Sequence, residues 1–124
     1  MSERHIFLLD AIQPVEMQQM RGGKGSALWR TAVGEANATP GSPFAKVGVN
    51  ILLPGSSVGM HKHVGDAEVY VIISGSGMYS CRDANGVSRQ IRVKAGDVTV
   101  CYDGEEHGLE NDGTEPLMMS GVIG

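Results

Sequence analysis

Three of the four histidines in this chain are placed so that they could share one metal ion. His61 and His63 stand two residues apart in a segment that predicts a β-strand, so both side chains leave the same face, about 7 Å apart. Glu68 follows the stretch 64–67, which predicts a turn or bulge because Gly65 tolerates backbone conformations closed to other residues. Glu68 can therefore face the same interior as the two imidazoles.

His107 comes much later, after an Asp103-Gly104 turn, and could close this site from a neighbouring hairpin. Three imidazoles and one carboxylate form a mixed nitrogen and oxygen ligand set that suits divalent Fe, Mn, Ni, Co, Cu or Zn. A six-coordinate ion held by four ligands keeps two positions for water, substrate or dioxygen, as a catalytic site requires. The alternative is a set of unrelated surface or core histidines, which is how we interpret His5 near the start of the chain.

The residues around these histidines resemble the two motifs of the cupin superfamily. From Gly55 to Gly75 the chain shows Gly, five residues, His-x-His, four residues, Glu, six residues and Gly, as in the first motif. The second motif is matched by four residues of this chain: Gly96, Gly104, His107 and Asn111. One position differs, because Tyr102 stands where that motif usually has proline. The resemblance covers residues 45–122. It implies a small double-stranded β-helix, often dimeric, with a metal inside and four ligands: His61, His63, Glu68 and His107.

The pattern of the same region predicts an all-β fold independently of the resemblance. Eighteen glycines argue against a mostly helical chain, because each interior glycine destabilises a helix by about 1 kcal/mol relative to alanine. Segments rich in β-branched residues alternate with turn signals, among them Asn85-Gly86, which favours a hairpin. The predicted strands span 45–53, 58–63, 68–74, 78–83, 87–93, 98–102, 107–111 and 117–122. Eight strands predict an all-β barrel or sandwich, and the resemblance implies the jelly-roll form of it.

The first forty residues are interpreted as an extension of this barrel. Val15 to Met20, after Pro14, predicts one helical turn, and Leu28 to Val33 predicts another strand. Gly22 to Gly25 lacks the spacing of a phosphate-binding loop and is interpreted as a flexible loop. We therefore expect a single domain over 1–124, with 1–43 as an extension with an edge strand and 44–124 as the barrel core. Such an edge strand could contribute to a homodimer.

Composition excludes several classes of partner. Ten Lys+Arg against fourteen Asp+Glu give a net charge of −4 without a basic run, which argues against a nucleic-acid surface. No apolar stretch approaches the ~20 residues of a membrane helix, and no signal-peptide pattern is present, so we expect a cytoplasmic protein. Cys81 and Cys101 are too few for a disulfide framework and are expected to be small buried thiols.

Two tyrosines are candidates for roles beside the metal. Tyr70 shares the face of Glu68 by the period of two, and a phenol there or at Tyr102 could donate a hydrogen bond or carry a proton. The alternative for both is a packed aromatic ring. Because adjacent residues of a strand face opposite ways, a Tyr102 inside the barrel would place Cys101 outside. Either Glu105 or Glu106 could orient His107.

These features favour a metal-binding protein that acts on a small organic molecule. The first hypothesis is a metal-dependent oxidoreductase of the dioxygenase type, because two open positions on a redox-capable ion are expected. The alternatives are a non-redox isomerase or lyase, in which the metal is a Lewis acid, and a module that binds or senses a small ligand without turnover. Fold and ligands alone cannot choose among them.

Overall fold

Residues 5–37 and 39–124, as described by the computed structural model, form two antiparallel sheets packed face to face. The strands are β1 (Val15–Gln18), β2 (Ser26–Val33), β3 (Lys46–Leu52), β4 (Ser57–Lys62), β5 (Glu68–Ser74), β6 (Ser76–Arg82), β7 (Ser88–Lys94), β8 (Val98–Cys101), β9 (Glu106–Glu110) and β10 (Leu117–Ile123). One sheet has the order β1-β2-β3-β10-β5-β8 and the other β4-β9-β6-β7. The predicted all-β fold is confirmed. In the described part of the chain, no helix is long and apolar enough to cross a membrane.

The core lies between the two sheets, where every second residue of each strand points inward. Leu52, Ile72 and Met119 come from the six-stranded sheet, Leu109 comes from the four-stranded sheet, and all four are almost completely buried. Tyr79 of β6 belongs to the same core. The strands β3 to β10 correspond closely to the eight that the sequence predicts over residues 45–122.

The helical turn predicted over Val15–Met20 is wrong. Val15–Gln18 is the edge strand β1, which pairs with β2 so that Met17 lies opposite Ala27 and packs against the core. A helical segment this short is marginal in water, so the hydrogen bonds and the burial offered by β2 decide the conformation. A single 3₁₀ turn, Met20–Gly22, follows β1, and another, Leu9–Ala11, precedes it.

The glycine-rich connection between β1 and β2 is packed against β4, contrary to its interpretation as a flexible loop. A Cβ atom added to Gly23 would collide with the carbonyl oxygen of Ser57, and one added to Gly59 would collide with that of Arg21. The Lys24 amide donates to Ser57 Oγ at 2.9 Å, and the Ser57 amide donates to the Lys24 carbonyl at 2.8 Å. Two backbones thus approach closely because neither carries a side chain at the contact.

This contact makes Gly59→Ala a test of the packing. We expect the free energy of unfolding, measured by urea denaturation, to fall by about 1–3 kcal/mol, because the added methyl group has no space against the Arg21 carbonyl. Gly113→Ala is the control, since its Cβ would meet its nearest neighbour, Asn111 Oδ1, at an ordinary 3.5 Å. Equal stability of the Gly59→Ala variant and the wild-type protein would contradict the close packing.

Candidate metal centre

Four side chains from three strands and one turn converge in the interior. His61 of β4 lies opposite His107 of β9, His63 follows β4, and Glu68 begins β5. The turn before Glu68 has Gly65 at a φ of 79°, so the strand direction changes between His63 and Glu68 as the sequence predicts. One ligand atom from each of the four residues lies within 4.8 Å of all the others, and the group could hold a metal ion.

The separations between these atoms suit a common ion. His107 Nε2 lies 3.1 Å from Nε2 of both His61 and His63, and 3.0 Å from Glu68 Oε1. The same carboxylate oxygen is 3.2 Å from His63 Nε2 and 3.8 Å from His61 Nε2. Two ligand atoms that bind one ion at about 2.1 Å and at right angles to each other are about 3.0 Å apart. The four atoms therefore need little movement to bind one ion.

Hydrogen bonds at the far side of two rings fix which nitrogen faces the centre. His61 Nδ1 lies 2.8 Å from the Gly59 carbonyl oxygen, and His63 Nδ1 lies 2.8 Å from Asp66 Oδ1. Carbonyl and carboxylate oxygens only accept, so both Nδ1 atoms carry a proton, and in the neutral form of each ring Nε2 presents a lone pair to the centre. Such lone pairs repel one another and Glu68 unless a proton or a cation lies between them. The donor set thus fits a divalent transition metal.

Tyr79 orients the remaining imidazole. Its Oη atom lies 2.9 Å from His107 Nδ1, and the His107 ring stacks on Tyr70 with centroids 4.7 Å apart and an interplanar angle of 18°. Glu105 and Glu106, which the sequence offered for this role, lie elsewhere: Glu105 accepts from the Tyr102 amide and Glu106 approaches Arg82. Tyr79 was missed because it lies on another strand, although its place in β6 gives it an inward-facing position.

The pKa shifts of Glu68 and His107 favour the protonation states that bind a cation at neutral pH. Burial raises the pKa of Glu68, but hydrogen bonds from His107 and His61 and the charges of His107 and His63 outweigh it, so the pKa falls to about 2. Burial lowers the pKa of His107, and this effect exceeds the opposing attraction of Glu68. The carboxyl group is therefore ionised, and burial favours the neutral form of the His107 imidazole, which are the forms that bind metals.

A small cavity of about 40 Å³ opens beside His61 and Glu68, and two cationic side chains line it. Arg21 comes from the connection before β2, and Lys46 begins β3 with its Nζ 3.7 Å from the centroid of the Trp29 ring. Burial lowers the pKa of Lys46, Glu68 raises it, and the charge of Arg21 lowers it further. A water needs about 10–15 Å³ of such space, so the cavity has room for about three.

The structure brings Tyr70 to this cavity and leaves Tyr102 outside it. Tyr70 is buried, and burial raises its pKa well above the usual range, so its hydroxyl stays protonated. Tyr102 is 62% exposed and borders a separate cleft near Cys81, whereas Cys101 takes the inward position. Tyr102 follows the last residue of β8, and the outward direction at this point excludes it from contact with the four ligands.

Comparison with known proteins agrees with this geometry. Residues 48–123 match the cupin domain family, which is more than half of the chain. This chain is a cupin. Over 113 residues the cupin is 39% identical to the oxalate-binding protein of Thermotoga maritima, with 90% of this chain and 87% of that protein covered.

Solved structures support the fold. A crystal structure of a predicted oxalate decarboxylase from Thermotoga maritima has a TM-score of 0.84 and 34% identity, and covers 95% of this cupin and 96% of that chain. An uncharacterized protein with a double-stranded β-helix domain from Klebsiella pneumoniae has a TM-score of 0.65 at 23% identity, covering 96% and 88%. The second likeness concerns the fold alone. The double-stranded β-helix expected from the sequence is confirmed.

Removing one imidazole tests the ligand set. We expect His61→Ala and His107→Ala to retain less than about a tenth of the metal bound by the wild-type protein, because structural metal sites depend on every ligand. Metal content after loading with Mn(II), Fe(II) or Zn(II) is measured by mass spectrometry, with circular dichroism to establish that the sheets remain. His5→Ala, a histidine outside the group, is the control. Unchanged metal content in either site variant would refute the assignment.

Removing the groups that hold the rings tests the outer hydrogen bonds. Asp66→Ala and Tyr79→Phe each remove a partner of an Nδ1 atom without removing a ligand. We expect each change to weaken metal affinity about 10- to 100-fold, since such partners fix ring orientation. Competition with a chromogenic chelator measures the effect. Affinities equal to that of the wild-type protein would show that the rings are held by packing alone.

Proposed function

We propose that His61, His63, Glu68 and His107 hold one divalent transition metal ion and that this cupin binds a small carboxylate anion beside it, with oxalate as the first candidate. The observation that carries the proposal is the small cavity next to the four ligands, lined by two cationic side chains. A ligand that fits there has few atoms, and a negative charge on it would strengthen its binding.

The charges of the site favour an anion over a neutral molecule. Glu68 supplies one negative charge, which a divalent ion more than balances, and Arg21 and Lys46 add two positive charges. Among the described residues, no carboxylate lies within 4.0 Å of the Arg21 guanidinium or the Lys46 ammonium group. An anion that enters would therefore meet unneutralised positive charge in a partly enclosed space, where Coulomb attraction is stronger than in water.

The two matches from Thermotoga maritima, one a protein sequence and the other a solved structure, support this choice of ligand. One is named for binding oxalate, and the other for a predicted decarboxylation of it. Oxalate has six heavy atoms and two carboxylates. Its size suits a cavity with room for about three waters better than an aromatic substrate would.

Turnover of the bound acid is the second candidate function. A bound divalent metal supplies a Lewis acid and, if it is iron, manganese or copper, a redox centre. Tyr70 supports chemistry in the same cavity, because its protonated hydroxyl lies beside Glu68 and can donate a hydrogen bond to a bound ligand. An oxidoreductase of the dioxygenase type and a non-redox lyase or isomerase both remain in this class. Tyr102 has no part in either.

One experiment separates these functions. Protein loaded with Mn(II), Fe(II) or Zn(II) is titrated with oxalate by calorimetry, and parallel samples are assayed for oxygen uptake, formate and carbon dioxide. We expect binding with every metal that fills the site. Recovery of unchanged oxalate favours a binding module, oxygen uptake favours an oxidoreductase, and product formed with Zn(II) favours Lewis-acid chemistry. Absence of oxalate binding by the metal-loaded protein would overturn the proposal.

A homodimer through the outer face of the six-stranded sheet is also proposed. The pairing registers place a set of apolar side chains on this face: Val47, Val49, Ile51, Val69, Val71, Ile73, Val98, Val100, Met118 and Val122. Val98 is 59% exposed and Val100 39%. The outer face of the four-stranded sheet instead carries polar residues such as Arg82, Gln90 and Arg92. A broad apolar face on a small protein favours association with a second copy.

Charge on the apolar face tests the dimer. We expect the wild-type protein to scatter light as a dimer at micromolar concentration, and Val98→Lys with Val100→Lys to shift it to a monomer, because two ammonium groups would be desolvated in the interface. Gln90→Lys, on the outer face of the other sheet, is the control. A monomeric wild-type protein would exclude this interface.

We further propose that residues 1–124 act as one domain, since β1 and β2 extend the sheet of the barrel core. Residues 1–43 are then its extension and edge strand, and 44–124 its core. Both cysteines are free thiols, which supports a reducing compartment such as the cytoplasm.

A further inference from the structure

The connection between β1 and β2 holds an unusual backbone conformation next to the cavity. Gln19 and Arg21 have φ values of 49° and 53°, and they are the only non-glycine residues of the described chain with positive φ. The left-handed conformation destabilises an ordinary residue by roughly 1–2 kcal/mol. Such residues persist only where the surrounding contacts fix them, and they cluster at ligand sites.

The contacts that fix Arg21 come from β4, the strand that carries His61. The Arg21 carbonyl oxygen packs against Gly59, and the Gln19 amide donates to the Gly25 carbonyl oxygen at 2.9 Å across the base of the connection. Where the connection ends and β2 begins, the Ser26 amide donates to Ser56 Oγ at 2.9 Å. The Arg21 backbone thus packs against the strand that carries His61, one of the candidate metal ligands.

The cavity is therefore lined by two cationic side chains that differ in burial and in their contacts. Lys46 is half-buried and held over the Trp29 ring, whereas Arg21 is exposed and projects from the connection. The next residue with a positive charge, Lys24, is turned away and forms an ion pair with Glu110 at 2.6 Å. Only Arg21 in this connection therefore offers an unpaired cation to the cavity.

We propose that Arg21 is the specificity-determining residue of the cavity, and that its guanidinium grips the distal carboxylate of a dicarboxylate whose other end faces the four ligands. This inference rests on the proposed function. A guanidinium can donate two parallel hydrogen bonds to one carboxylate, which an ammonium group cannot do. A monocarboxylate lacks the distal group, so Arg21 favours oxalate over formate.

The test is calorimetry of the Mn(II)-loaded full chain with oxalate and, separately, with formate, together with metal content. We expect Arg21→Ala to weaken oxalate binding about 30-fold, the size of a lost charge-assisted contact, and formate binding less than about threefold. Arg21→Lys is expected to recover only part of the loss. Lys24→Ala removes one positive charge from the same connection and is expected to leave both affinities unchanged.

The outcomes separate the two proposals. Oxalate binding by the wild-type protein with equal affinity in Arg21→Ala would overturn the role of Arg21 and leave the proposed function intact. Absence of oxalate binding by the metal-loaded wild-type protein would overturn both. If Arg21→Ala does not fold, Arg21→Gly tests the same loss of charge, because glycine adopts positive φ without strain. Equal losses in Lys24→Ala and Arg21→Ala would also refute the assignment, since they would reflect net charge alone.

Discussion

The arrangement of this cupin depends on four electron-pair donors whose ligand atoms lie within 4.8 Å of one another in the barrel interior. The lone pairs of His61, His63 and His107 and the charge of Glu68 repel one another, and this repulsion would push the four side chains apart. The Gly59 carbonyl, Asp66 and Tyr79 prevent this by holding the outer nitrogen of each ring, and the β4–β9 pairing holds the backbones. The fold therefore keeps repulsive groups in place, and a cation among them converts this repulsion into attraction. A metal ion bound by these four residues would therefore also stabilise the fold.

The β4 strand connects the metal centre to the rest of the chain. Its end carries His61, with His63 just beyond, while its beginning receives the connection that holds Arg21. The extension before β3 thus does more than cover an edge of the sheet, because it supplies one wall of the cavity. A barrel without this segment would still contain the four ligands but would lack the Arg21 charge beside them.

Sequence patterns predicted the parts that depend on local periodicity. The spacing of His61 and His63 and the turn at Gly65 placed Glu68 correctly, because both effects act within a few residues. The direction of Tyr102 could not be predicted, since a shift of one residue at the end of a strand reverses every side chain. Arg21 could not be predicted either. Its position depends on a left-handed backbone in a connection held by contacts with residues distant in the sequence, among them Gly59 and Ser57.

If metal and anion bind as proposed, the charges around them link the two binding events. Without an anion, a divalent ion would face Arg21 and Lys46 across a small cavity with only Glu68 to offset the repulsion. An anion between them would neutralise both sides, so it would bind more tightly when the metal is present. By reciprocity it must tighten metal binding by the same factor. The Lys46 ammonium group lies over the Trp29 ring and forms no ion pair with a carboxylate of the described residues, so its positive charge is available to attract the anion. The bound anion would thus offset the excess positive charge of the metal, Arg21 and Lys46.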